Sequence, residues 1–216
     1  GSCFAENIGR RLRDNALRCQ VNPYGTMYNP ASIMHSVERA ISDGLLNDGV
    51  DVAVFTLGTN HVYILKETNE IVDNCQKRPQ RLFREEELSI EECAEYICKA
   101  IALLREINPE VKIVLTVSPI RYRKYGFHES QLSKATLLLA AAKVAGMEGV
   151  EYFPAYEIVN DELRDYRFYA PDMIHPSEQA VDYIYERFSD AFFSENTRRM
   201  IAEWAPIKSA LNHRPF

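Results

Sequence analysis

The chain has 216 residues, a formal net charge of −6, 46% hydrophobic and 26% charged residues. That length fits one domain spanning residues 1–216, and the acidic balance argues against nucleic acid as the main partner, because such binders need a basic face. No apolar run approaches the roughly 20 residues that a membrane span requires.

The pattern opens with a helix over Phe4–Ala16, where Phe4, Ile8 and Leu12 repeat at i, i+4 and i+8, with Arg10, Arg11 and Arg13 on the other side. Leu17–Val21 is a short strand candidate. Asn22-Pro23-Tyr24-Gly25 forms a turn, since Pro fixes φ and Gly permits positive φ. Pro30 starts a helix that runs to about Asp43 and stops at Gly44. Val50–Leu57 is β-branched and apolar, as a buried parallel strand is. Val62–Leu65 and Ile71–Val72 read as a β-hairpin inserted on the main sheet, and residues 74–87 as a polar surface loop.

Ser89 and Glu92 have the spacing of a capping box, so a helix begins there and ends before Asn108-Pro109. Val111–Val117 is a second buried strand. Ser130–Ala145 is an Ala/Leu-rich helix, Gly149–Phe153 a short strand, and Ala155–Leu163 helical. Residues 164–171 form an aromatic, charged loop before helices over Pro176–Phe193 and Thr197–Leu211. Strands that alternate with helices imply βαβ units and a parallel sheet, with sites at the carboxyl ends of the strands.

Two stretches carry chemistry. In Gly1-Ser2-Cys3-Phe4-Ala5 a small residue permits a tight turn, and a serine sits where a helix begins. Backbone N–H groups at such a terminus can stabilise an oxyanion. The same serine suits a plain N-cap, and Gly-Ser also suits a vector-derived start. An elbow of this kind needs a strand before it, which is expected upstream of Gly1. In Asp172-Met173-Ile174-His175 the histidine can act as base while the carboxylate orients it; a capping Asp and a surface His have the same spacing. Five cysteines, Cys3, Cys19, Cys75, Cys93 and Cys98, form neither a disulfide framework nor a zinc motif, and they read as free thiols in a reducing, cytoplasmic setting.

The order of Gly1-Ser2, Gly25, Gly58-Thr59-Asn60 and Asp172-x-x-His175 resembles the SGNH hydrolases. More closely, Gly-Ser-Cys-Phe-Ala resembles the signature of the GSCFA family, a bacterial branch of that superfamily. The likeness continues through Asn22-Pro23-Tyr24-Gly25, Tyr28-Asn29-Pro30, Leu57-Gly58-Thr59, Val62-Tyr63, Asn74-Cys75 and Ser118-Pro119-Ile120-Arg121. It implies a three-layer α/β/α, flavodoxin-like fold with strand order 2-1-3-4-5. It also implies a serine ester hydrolase with Ser2 as nucleophile, His175 as base and Asp172 as its orienting partner. The oxyanion hole would use the N–H groups of Ser2 and Gly25 and the amide of Asn60. Family members often carry Ala-Trp at the place of Asn60-His61 and His at the place of Gln76, so Asn60 fits the wider superfamily better.

Around these, His61, Arg121 and Tyr24 are candidate substrate contacts. His61 also reads as a loop histidine, and Arg121 as part of a solvated loop. Cys3 at a helix start is a rival nucleophile, but adjacent elbow residues point apart, so it is expected to pack under the helix. Tyr166, Phe168 and Tyr169 could stack on a sugar. His35 and His213 read as structural or exposed, and Trp204 as core or interface for the last helix. The chemistry so implied needs no metal or cofactor, and its substrate class is a small-molecule or glycan ester, on analogy an O-acetylated carbohydrate. An acyltransferase would use the same residues. A binding domain that kept the fold without the chemistry is the other reading. Oligomeric state is open.

Overall fold

A computed structural model describes residues 1–73, 75 and 77–212; Asn74, Gln76 and His213 lie outside the described residues. Three strands, β1 (Val52–Leu57), β5 (Lys112–Val117) and β6 (Val150–Tyr152), form a parallel sheet in the order β1-β5-β6. The register pairs Val52 with Lys112 through Leu57 with Val117, and Ile113 with Val150. These are the strands expected as third, fourth and fifth, in that spatial order.

Alternation along these strands sends side chains to opposite faces. Phe55, Leu57, Ile113, Leu115 and Val117 face one core with α2 (Pro30–Ser42), α3 (Ile90–Ile107) and α4 (Phe127–Val144). Val54 and Val114 face a second core with α1 (Cys3–Asp14) and α6 (Glu178–Phe192). Helices on both faces make the three-layer α/β/α arrangement. Between β6 and α6 lies a short α5 (Ala155–Glu157), extended by a π-type turn over Ile158–Leu163. The last helix, α7 (Glu195–Asn212), carries Pro206 inside it, and Trp204 Nε1 donates to the Asp14 carbonyl at 3.0 Å.

The capping box at α3 is complete: Ser89 Oγ accepts from Glu92 N, and Glu92 accepts from Ser89 N at 2.8 Å. Asn29 caps α2 through Ser32 N at 2.8 Å, with Pro30 at the first helical position. Arg10 and Arg11 reach Glu178, and Arg11 also Asp182, tying α1 to α6.

Two expectations are corrected. Leu17–Val21 is not a strand: it has no regular structure and folds back along α1, where Val21 packs against Gly9 so closely that a Cβ there would collide with it. Val21 and Cys19 are turned onto Gly9 of that helix, and no ladder partner is present among the described residues. The stretch 74–87 is not all loop. β4 (Phe83–Glu87) pairs antiparallel with β2 (His61–Leu65), which pairs on its other side with β3 (Glu70–Val72). Phe-Arg-Glu-Glu-Glu hides this strand because only Phe83 is buried; the backbone ladder, not burial, holds it. No helix among the described residues is long and apolar enough to cross a membrane.

Candidate functional site

Ser2 occupies the N-cap position of α1 in extended backbone, yet its hydroxyl makes no cap bond to the helix. Its N–H instead donates to Thr56 on β1, 2.8 Å to Oγ1 and 3.3 Å to the carbonyl. Ser2 Oγ donates to the same Thr56 Oγ1 at 3.3 Å, and the residue is wholly buried. A Cβ on Gly1 would collide with Thr56 Oγ1 and lie 3.0 Å from Ala5 Cβ, so only glycine lets this segment approach the strand. Across the ladder from Thr56, Thr116 Oγ1 is buried without a partner.

Asp172 and His175 are brought together by a turn before α6. Asp172 Oδ1 accepts the N–H groups of Ile174 at 2.9 Å and His175 at 3.0 Å. Oδ2 accepts His175 Nδ1–H at 2.6 Å. The backbone N–H of His175, then its ring N–H, stabilise the carboxylate and hold its pKa down at about 2. An ionised carboxylate only accepts, so Nδ1 carries the proton and a neutral imidazole presents its lone pair at Nε2. Met173 has φ +61°, a left-handed conformation uncommon outside glycine, and this twist closes the turn. Ala170 N–H to His175 O at 2.7 Å and Ser177 N–H to Phe168 O at 2.8 Å anchor it. Among the described residues no hydrogen bond joins Ser2 to His175; Ser2 Oγ faces Thr56.

Each candidate oxyanion donor already has an internal acceptor. Ser2 N–H has Thr56. Gly25 N–H donates to Asn22 O at 2.8 Å, in a turn that needs the φ of +88° at Gly25. Asn60 Nδ2 donates to Leu88 O at 2.8 Å, while its buried Oδ1 has no partner.

The candidate substrate contacts are placed apart in their bonding. His61 is buried and stacked on Tyr125, centroids 3.8 Å apart; burial lowers its pKa, and its Nε2 has no hydrogen-bond partner among the described residues. Tyr24 donates to Asp43 at 2.7 Å under the Arg39 guanidinium. Arg121 alone lies in a cleft with Asp172, together with Arg123, Phe127, Tyr166, Met173 and Ile174. Cys3 packs against the α1–α6 core, its Sγ 3.5 Å from Tyr28 Oη, and it is a free thiol. No cluster of His, Cys, Asp and Glu among the described residues has a metal-binding arrangement.

Sequence reasoning overlooked Lys134. This α4 side chain is fully buried and donates to Gly58 O at 2.6 Å and Ser118 O at 2.7 Å, the first carbonyls beyond β1 and β5. No carboxylate pairs with it among the described residues, and burial pushes its pKa down to about 7. The signal was its phase: Lys134 lies in register with Leu137, Ala141 and Val144 on the apolar face. Ser133 on the same helix accepts from Asn60 N at 3.0 Å, so α4 fixes the whole Gly58–Asn60 loop.

The sequence model of the GSCFA family matches residues 1–49 and 45–188. Among solved structures the chain is similar to a carbohydrate esterase family 3 protein from Talaromyces cellulolyticus, at 12% identity and a TM-score of 0.47, covering 93% of this chain and 90% of that one. It is similar in the same degree, at 11% identity, TM-score 0.47 and coverage of 93% and 90%, to a serine-to-alanine mutant of an acetyl esterase with an acetate ion. No protein of curated function matches the chain.

Proposed function

This chain belongs to the GSCFA family, and we propose that it is a serine ester hydrolase working through an acyl-enzyme. The observation that carries this reading is the Asp172–His175 pair, bonded at 2.6 Å so that Nε2 is left as a free base. Ser2 at the head of α1 is its nucleophile. Three features support that role: the hydroxyl is not spent on capping, its one partner is the 3.3 Å contact to Thr56, and the family signature surrounds it.

In the reaction, Ser2 Oγ rotates from Thr56 toward Nε2, exchanging a bond worth about 1 kcal/mol net. His175 takes the hydroxyl proton as Oγ attacks the ester carbonyl, and the imidazolium is stabilised by the Asp172 carboxylate. The carbonyl oxygen becomes an oxyanion that receives the N–H groups of Ser2 and Gly25 and the amide of Asn60 as these leave Thr56, Asn22 and Leu88. One such donor is worth about 3–4 kcal/mol in the transition state. His175 then gives the proton to the departing alkoxide. Water, deprotonated by His175, attacks the acyl-enzyme and releases the acid. The steps balance with water alone. Replacing water by a sugar hydroxyl gives the transferase version.

A binding domain without catalysis is the second reading. What favours it is the burial of Ser2, with 0% of its surface exposed. Labelling with a fluorophosphonate serine probe, mapped by mass spectrometry on wild type, Ser2→Ala and His175→Ala, separates the two. Modification of Ser2 that vanishes in both variants is expected. Folded wild-type protein that stays unlabelled and releases no acid from acetyl esters would sink the hydrolase reading.

A further inference from the structure

Beside the Asp172–His175 turn lies an open cleft of about 310 Å³ with two guanidinium groups in its wall, Arg121 and Arg123. Arg121 is held rigidly. Its Nη1 donates to Met173 O at 2.9 Å, and its plane lies 3.9 Å above the Phe127 ring, with Tyr169 and Tyr166 centroids at 5.4 and 5.7 Å. A guanidinium fixed by a carbonyl and aromatic faces has paid its ordering cost before a ligand arrives.

An ionised carboxylate, Asp172, is present in the same wall, and two guanidinium charges against its one leave the cleft net positive. Both oxygens of Asp172 are engaged by the backbone and ring N–H groups of its own turn. Neither arginine forms an ion pair among the described residues, although the chain carries 31 acidic against 25 basic residues. Two unpaired cations in one concave site, in an acidic protein, are a place for an anion. Tyr166, 64% exposed, supplies a ring face at the rim.

We propose that this cleft binds the carboxylate of a ring-bearing acid, and that the ester hydrolysed at Ser2 carries that acidic ring next to its acyl group. The arginines receive the carboxylate and Tyr166 stacks on the ring. The second half of the proposal rests on the hydrolase reading above; the first does not.

The test is calorimetric titration of the full chain with D-glucuronate, benzoate and neutral D-glucose at low ionic strength. The acids bind at least about tenfold more tightly than glucose, the ratio expected of a charge-assisted contact. Added salt weakens the acids and leaves glucose unaffected. Arg123→Gln, an exposed substitution that removes no internal bond, weakens the acids several-fold, and Tyr166→Ala weakens them further. Binding by glucuronate alone identifies a sugar acid as the source, and by benzoate alone an aromatic acid. Glucose binding as tightly as the acids, acids indifferent to Arg123→Gln and to salt, or no acid bound at tens of millimolar overturns the proposal. Fluorophosphonate labelling of the same samples keeps the two readings apart. Acid binding with neither Ser2 labelling nor acid release from acetyl esters removes the hydrolase and leaves the cleft; labelling without acid binding does the reverse.

Discussion

Around Asp172 and His175 the side chains are 45% and 42% exposed, and the bonds of the pair itself are made within one turn of chain, while Arg121 reaches the Met173 and Ile174 carbonyls between them. Around Ser2 and Lys134 almost nothing is exposed, and the bonds cross the molecule: Ser2 to Thr56 on β1, Lys134 on α4 to the carbonyls of Gly58 and Ser118. The Asp172–His175 pair is therefore assembled locally, with Arg121 as its one tie to a distant segment among the described residues. The Ser2 side depends on strands and helices far apart in sequence, and each candidate oxyanion donor already has an internal acceptor. The two regions should fail differently when disturbed.

The largest effect is expected at the exposed region, on chemistry more than on folding. Asp172→Asn loses the charge that stabilises the imidazolium and the acceptor that fixes its tautomer. Hydrolysis of an acetyl ester should fall on the order of 10³–10⁴-fold, and the melting temperature at neutral pH should drop as well, because the stabilised carboxylate is lost. The Asp172 carboxyl has its pKa lowered in the fold, so it stabilises above the unfolded value and that contribution fades as pH falls toward about 2. Acid unfolding curves should thus converge for wild type and Asp172→Asn at the lowest pH. A variant that retains full activity would separate the turn from catalysis.

Next comes the buried region, on stability. A Cβ at Gly58 would collide with Tyr122 Oη and lie 2.9 Å from the Tyr28 carbonyl, to which Gly58 itself donates. Gly58→Ala should cost about 2–3 kcal/mol in chemical denaturation, because backbone must move. Lys134→Met acts through pH. The lysine's folded pKa, about 7, is below its usual 10.5. Between these values the unfolded chain binds the extra proton, so wild-type stability gains up to about 1.4 kcal/mol per pH unit as pH rises through this window. The difference between wild type and Lys134→Met should show that slope, flattening below about pH 7; a difference independent of pH would mean the amine titrates normally. The smallest effect belongs to Thr56→Val, which keeps the shape and removes the acceptor of Ser2. It should cost about 1 kcal/mol. Faster labelling of Ser2 in this variant would mean the Thr56 bond restrains the nucleophile; unchanged labelling would place the restraint elsewhere.

Local features of this fold were readable from the residues. Asn29-Pro30, the Ser89–Glu92 capping box and the Asn108-Pro109 stop each act within a few residues, so local chemistry decided them. The strands β1 and β5 were readable because burial on both faces makes them continuous apolar runs. What escaped depends on partners distant in sequence. β4 is a strand only because β2 offers it a ladder, and Leu17–Val21 has no ladder partner among the described residues and packs Val21 on Gly9 instead. In the candidate site, Asp172 and His175 could be paired from their spacing alone. The bond of Ser2 to Thr56, 54 positions away, and of Lys134 to Gly58, 76 positions away, could not.

Lys134 has a consequence for how motion in this molecule can be watched. An amine with a pKa near 7 is about half uncharged at neutral pH, and an uncharged amine is the form that reacts with acylating reagents. Surface lysines are mostly protonated there, but reagent reaches them freely. Lys134 is the opposite: chemically ready, and walled in by Gly58, Ser118 and the rings of Tyr122 and Tyr156. Its acylation rate is therefore set by how often the β1 and β5 ends part. One residue serves as a gauge of breathing at the floor of the site, readable by mass on a single peptide.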